Sequence, residues 1–158
     1  MKRTLITICV VALGHSMLLG CSDSSAPVGK AGWLTGSTQE KLDTVAKHLR
    51  GNDLVMMEVD WRFQRLARAG FAENWAAAAY QLDKLRLTME LGKERRPKRA
   101  ESYDWFFQAA FPPLVAAVEG EDKALFLEGF PTFVAHCNTC HAKEHVEFFT
   151  VVLPPVLE

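Results

Sequence analysis

From about residue 37 to residue 141, apolar side chains recur every three or four positions, the period of a helix that buries one face. No alternating strand pattern runs for more than a few residues, and no internal repeat is present. Ser37 or Thr38 can cap a short first segment reaching to 50, with Leu42, Val45, Ala46 and Leu49 on one side. Gly51-Asn52-Asp53 then reads as a stop and a fresh cap at Asn52 or Asp53. The spacing of Met56, Val59, Phe63, Leu66 and Gly70 predicts a helix over 53–69, ended by Gly70. A helix over 72–91 follows, with Trp75, Ala78, Leu82, Leu85 and Met89 inward and Gly92 as its stop. The next helix spans 102–118, with Tyr103, Phe106, Phe107 and Ala110 inward. Pro112-Pro113 must kink or break it, because proline has no N–H to donate and clashes with the preceding turn. The last helix begins at Glu121 or Asp122 and carries Leu125, Phe126, Phe130, Phe133, Val134, Cys137 and His141, with a bend expected at Pro131. The β-branched, proline-containing tail from 146 onward predicts an extended strap. Leaving aside the short first segment, four helices of similar length with short connections predict an all-α, antiparallel four-helix bundle.

The first residues change the picture. Met1-Lys2-Arg3 precedes a short apolar run ending Leu18-Leu19-Gly20-Cys21. That is the layout of a secretory signal, and its end resembles the lipobox of bacterial lipoproteins. The resemblance implies a signal peptide over 1–20, cleavage before Cys21 and a lipid on Cys21. The other reading is an uncleaved membrane span, for which the run is short against the roughly 20 residues a span needs. Residues 21–36, rich in Ser, Gly, Pro and Ala, then form a lipidated flexible tether, and 37–158 form the folded domain. Ser22 after the cysteine implies, by the same resemblance, sorting to the outer membrane, on its periplasmic side. The formal net charge of −1 gives no reason to expect nucleic acid as a partner.

Cys137-Asn138-Thr139-Cys140-His141 reads CxxCH, the attachment signature of a c-type haem. In such a site each thiol adds across one porphyrin vinyl group, and the histidine gives a ring nitrogen to the iron. The alternatives are a CxxC disulfide, which usually opens a helix after a strand, or a zinc site with His136 or His145 as the further ligand. Export and the cysteine count favour haem. Of the four cysteines, Cys9 leaves with the signal and Cys21 takes the lipid, so no free thiol remains in an oxidising compartment.

A helical bundle with CNTCH near the end of its last helix resembles the class II c-type cytochromes, the cytochrome c′ group, over roughly 53–141. The stretch AGFAENWAAAAYQLDKL from Ala69 also looks like a bundle-cytochrome family with AG-x-A-x-NW-x-x-AAY-x-L ahead of a C-terminal CxxCH and an apolar tail. The chain departs from common cytochrome c′ sequences after the motif, where Glu144-His145-Val146-Glu147-Phe148-Phe149 leads into the tail. The distal pocket of that group is therefore not carried over. A small globin-like or class I cytochrome fold is the alternative, but class I proteins carry the motif near the N-terminus.

In an up-down bundle, the end of the last helix lies beside the start of the first. That places Met56 near the haem as a candidate distal iron ligand, as in the low-spin His/Met members of class II. Met57 is the fallback and Met89 a third candidate; the plain alternative is that they fill the core. The cations Lys93, Arg95, Arg96, Lys98 and Arg99 fall at the same end. They would pair with haem propionates or an acidic redox partner, or form a solvated loop. Trp61, Phe63, Trp75, Trp105, Phe106, Phe130 and Phe133 would line the pocket or fill the core. No acid–base pair or second cofactor motif is visible, so an enzyme is not expected. The expectation is a membrane-tethered, mono-haem electron carrier with a redox partner protein. The rival is a five-coordinate haem that binds NO or CO.

Overall fold

The computed structural model describes residues 25–157, which are all-helical apart from one isolated bridge. Cys21 and the signal segment lie outside the described residues. The chain divides into two compact units, 1–48 and 49–158.

In the first unit Val28 and Leu34 pair backbone to backbone around a tight loop with Gly29 and Gly32 at positive φ. Part of the expected tether thus has local structure, and Trp33 packs edge-on to His48 with ring centroids 5.0 Å apart. Helix α1 spans Thr38–His48. Ser37 caps it in a reciprocal box: Glu40 N–H donates to Ser37 Oγ (3.3 Å), and Ser37 N–H donates to Glu40 Oε2 (2.7 Å). Leu42 and Val45 on its expected inner face are exposed. α1 falls in the first unit, not with the helices that follow.

The second unit packs five helices together: α2 (Asn52–Phe71), α3 (Trp75–Arg95), α4 (Ala100–Ala109), α5 (Phe111–Glu119) and α6 (Lys123–Lys143). The expected third helix is two, because Pro112 and Pro113 fit only the first turn of a helix, where no donor is needed. Gly51 is the residue before α2; Asp53 Oδ1 accepts its N–H at 3.2 Å, so Asn52 is already inside the helix rather than its cap. Asn74 caps α3 by accepting from Ala77 N–H (3.2 Å), which starts that helix three residues later than the periodicity suggests. Asp122 caps α6 in the same way through Leu125 N–H (3.0 Å).

Two glycines read as stops are points of close approach: α2 does end one residue after Gly70, but α3 runs past Gly92 to Arg95. A Cβ on Gly70 would lie 2.2 Å from Phe126 Cζ, so the Phe126 ring can lie against α2 there only because the position carries no side chain. A Cβ on Gly92, inside α3, would lie 2.8 Å from both the Tyr103 hydroxyl and Val55.

The core is largely aromatic. Phe63 stacks on Phe130 (5.0 Å) and Phe133 (6.5 Å), while Gly70, two turns further along α2, meets Phe126. α2 and α6 therefore run in opposite directions. Phe106 and Phe111 close the cluster edge-on to Phe133 at 5.2 and 5.6 Å.

Candidate functional site

The CxxCH residues occupy the last turns of α6. Residues three and four apart on a helix share a face, so Cys137, Cys140 and His141 line one side of α6. α6 ends in a paired-hydrogen-bond stop. His145 adopts φ 58, its N–H bonds the Ala142 carbonyl (3.1 Å), and Val146 N–H bonds the His141 carbonyl (2.9 Å). His145 is spent on turning the chain and is exposed.

Four elements converge here. The Cys140 sulfur reaches the Ser102 carbonyl of α4 at 3.9 Å. Tyr103 of α4 crosses to Gly92 near the end of α3, and Val55 from the start of α2 reaches the same glycine. The start of α2, the end of α3, the start of α4 and the end of α6 thus share one end of the unit.

Both cysteines are free thiols. Burial pushes Cys137 up to about 12, with the neighbouring Cys140 adding to it. Burial also pushes Cys140 up to about 11; Glu144 adds to it, and Lys143 and Arg99 oppose it. A redox dithiol needs a lowered value to hold a thiolate, so this environment does not suit disulfide exchange. Among the described residues no three His, Cys, Asp or Glu side chains form a group that could hold a metal ion, the arrangement the zinc alternative requires.

His141 Nδ1 lies 2.5 Å from the Phe149 carbonyl oxygen. A carbonyl only accepts, so Nδ1 carries the ring proton and Nε2 presents its lone pair. That is the tautomer a metal-binding histidine needs. The Tyr103 hydroxyl and Arg95 Nε are buried without a hydrogen-bond partner. Burial raises Tyr103 to about 12, Cys140 adds to this, and Arg99 and Arg95 pull the other way. A bare imidazole nitrogen, two thiols on one face and unpaired buried donors nearby fit a large ligand with an iron centre and acidic edges.

Met56 lies on the α2 stripe shared with Phe63 and Gly70, which both meet α6. It is half-buried and packs against the core, as do Cys137 and Cys140. Met57 is 68% exposed and is not brought to the site, and Met89 is buried in the core. Of the expected aromatic lining, Phe63, Phe106, Phe130 and Phe133 are core, while Trp61 is exposed under the Arg65 guanidinium at 3.6 Å. Trp105 packs edge-on to His136 at 5.6 Å, and His136 Nδ1 is buried without a partner.

The basic connection is partly neutralised. Lys93 pairs with Asp104 and Arg99 with Glu144. Arg95, Arg96, Pro97, Lys98, Arg99 and Glu144 line an open depression of about 420 Å³. A neighbouring one is lined by Lys98, Glu101, Ser102, Trp105, Lys143 and Glu144. The motif residues line neither depression.

Sequence reasoning missed Asn138, whose amide bonds the backbone of Val151, and the Phe149 carbonyl on His141. The tail does fold back as a strap: Val151, Leu153 and Val156 pack on the core, and the turn 155–157 lies against α2.

No protein-family model, curated protein or solved structure matches the chain. The resemblance to the class II cytochromes therefore has CNTCH as its one specific element. No helix among the described residues is long and apolar enough to cross a membrane.

Proposed function

We propose that this protein is a mono-haem c-type cytochrome that passes single electrons, tethered by a lipid on Cys21 to the periplasmic face of a bacterial membrane. One observation carries the reading: Cys137, Cys140 and His141 share one face of α6, with His141 held by Phe149 so that Nε2 is bare. Cys137 and Cys140 would hold the haem by thioethers and His141 would ligate the iron. The haem, when bound, supplies the one-electron iron couple. The chain would supply apolar surroundings from Val55, Phe106 and Tyr103, and cations from the 93–99 connection for acidic groups or an acidic partner protein.

Reading α4 and α5 as one broken third member gives an antiparallel four-helix bundle. The α2–α6 direction supports it, as do the pairings of Gly92 with Val55 and of Phe106 with Phe133. The deciding test is acid extraction of the purified protein. Pigment should remain with the polypeptide, and complete release into the solvent would overturn the proposal.

Met56 is the proposed sixth ligand, since α2 begins at Asn52 and sets Met56 in its early turns at the same end as Cys140. Met56→Ala is expected to turn a low-spin haem into a high-spin one that binds CO, and Met57→Ala to change nothing. A wild-type spectrum that is already high-spin and CO-reactive would replace this assignment with the gas-binding reading. The apolar contacts of Met56 would then form the distal wall.

Cys21→Ser is expected to move the protein from the membrane to the soluble periplasmic fraction. The described helices offer no other way to span a bilayer. A wild-type mass without lipid would refute the anchor.

A further inference from the structure

The tail after α6 doubles back along the helix that carries the motif, and one side chain clamps it. Asn138 Nδ2 donates to the Val151 carbonyl (2.9 Å), and Val151 N–H donates to Asn138 Oδ1 (2.8 Å). A side-chain amide with one donor and one acceptor side by side can satisfy a single extended residue in this way. Asn138 and His141 are three residues apart, so they share a face of α6. Val151 and Phe149 are two residues apart on the strap. The clamp at Val151 thus sits one helical turn from the point where the Phe149 carbonyl meets His141 Nδ1 at 2.5 Å. Beyond the clamp, Pro154 is fully buried and Leu153 and Val156 pack on the core. The Phe149 ring, 63% exposed, takes no part; only its backbone does.

A free imidazole samples both tautomers, and only one of them offers Nε2. We infer that Asn138 is a positioning residue: by clamping Val151 it holds the Phe149 carbonyl on His141 Nδ1, which fixes the ring with Nε2 unprotonated and strengthens it as a ligand. The strap thereby sets both the orientation and the donor strength of the motif histidine. The inference rests on the proposed haem only in taking iron as what Nε2 binds. A stronger imidazole donor favours the oxidised iron, so the clamped strap lowers the reduction potential.

The test uses the full chain in two forms. In the haem-free chain, ¹⁵N shifts of the His141 ring in alkaline buffer, where imidazoles are neutral, report the tautomer. Wild type should show a protonated Nδ1 and a bare Nε2, and Asn138→Ala should show both tautomers. In the haem-loaded chain, Asn138→Ala should raise the midpoint potential without releasing haem. Phe149→Ala keeps the carbonyl and should match wild type in both readings. A wild-type ring protonated at Nε2 overturns the inference whatever the variants do. So does an Asn138→Ala protein that is less stable but keeps the wild-type tautomer and potential. If Asn138→Ala does not fold, Asn138→Asp keeps one of the two bonds; an intermediate tautomer ratio supports the inference and a wild-type ratio overturns it. The tautomer is read without haem, so failure here and failure of the haem proposal appear in different measurements.

Discussion

Alanine at both Cys137 and Cys140 is expected to abolish acid-stable haem completely while leaving the helices folded. The loss should be total because a c-type attachment consists of the two thioethers, and no other thiol is present among the described residues. The fold should survive because the sulfurs sit at the margin of the core, not at its centre. Both residues are half-buried and pack against the core cluster rather than belonging to it. Each Cys→Ala change removes one buried heavy atom, worth about 1 kcal/mol at most. Helical circular dichroism and acid extraction, run on the same preparation, separate the two outcomes. A double variant that keeps its pigment through extraction would exclude thioether attachment at these positions.

Phe130→Ala should instead strongly destabilise the second unit without changing any residue of the motif. Phe130 is fully buried, and its ring lies 5.0 Å from Phe63, 5.3 Å from Phe126 and 6.3 Å from Phe133. Removing such a ring typically costs about 3–5 kcal/mol, through lost burial and the cavity left behind. Whole domains are stable by only about 5–15 kcal/mol, so the loss is a large share. The thermal midpoint should fall by roughly 10–20 °C. Leu125→Ala on the same helix is the control: Leu125 is 51% exposed, and its removal should shift the midpoint little. Equal losses for the two variants would mean that the aromatic row does not hold α2 against α6.

Much of this was legible in the sequence, and the reasons differ by element. The α2 and α6 stripes were readable because most of their apolar spacing matches a face that is buried, although Leu125, expected on the α6 stripe, is exposed. The break before α5 was readable because two prolines leave the chain little choice. Gly92 was misread as a stop and Gly70, close to the end of α2, was only half read. Gly70 and Gly92 carry no local mark that separates a stop from a close approach; that difference lies in Phe126 and Tyr103, far away in sequence. Asn138 escaped for a related reason. The motif allows any residue between its cysteines, and nothing local says that an amide there will meet Val151 thirteen positions later. Met56 was placed by topology alone, and its position at the start of α2 follows from the break at 49–51 between α1 and α2.

The burial of Cys137 has a consequence in time. Cys137 is half-buried and packs against the core near the end of α6, so a large planar partner would reach its sulfur more freely before the helices close than after. Helical proteins dominated by local contacts close within microseconds to milliseconds. On the proposed haem reading, attachment at Cys137 would come first, on a chain still open after export, and packing of the Phe130 row would follow. On that reading fast folding would be a hazard: a chain that collapsed before its thiols were used would be a well-packed, colourless product.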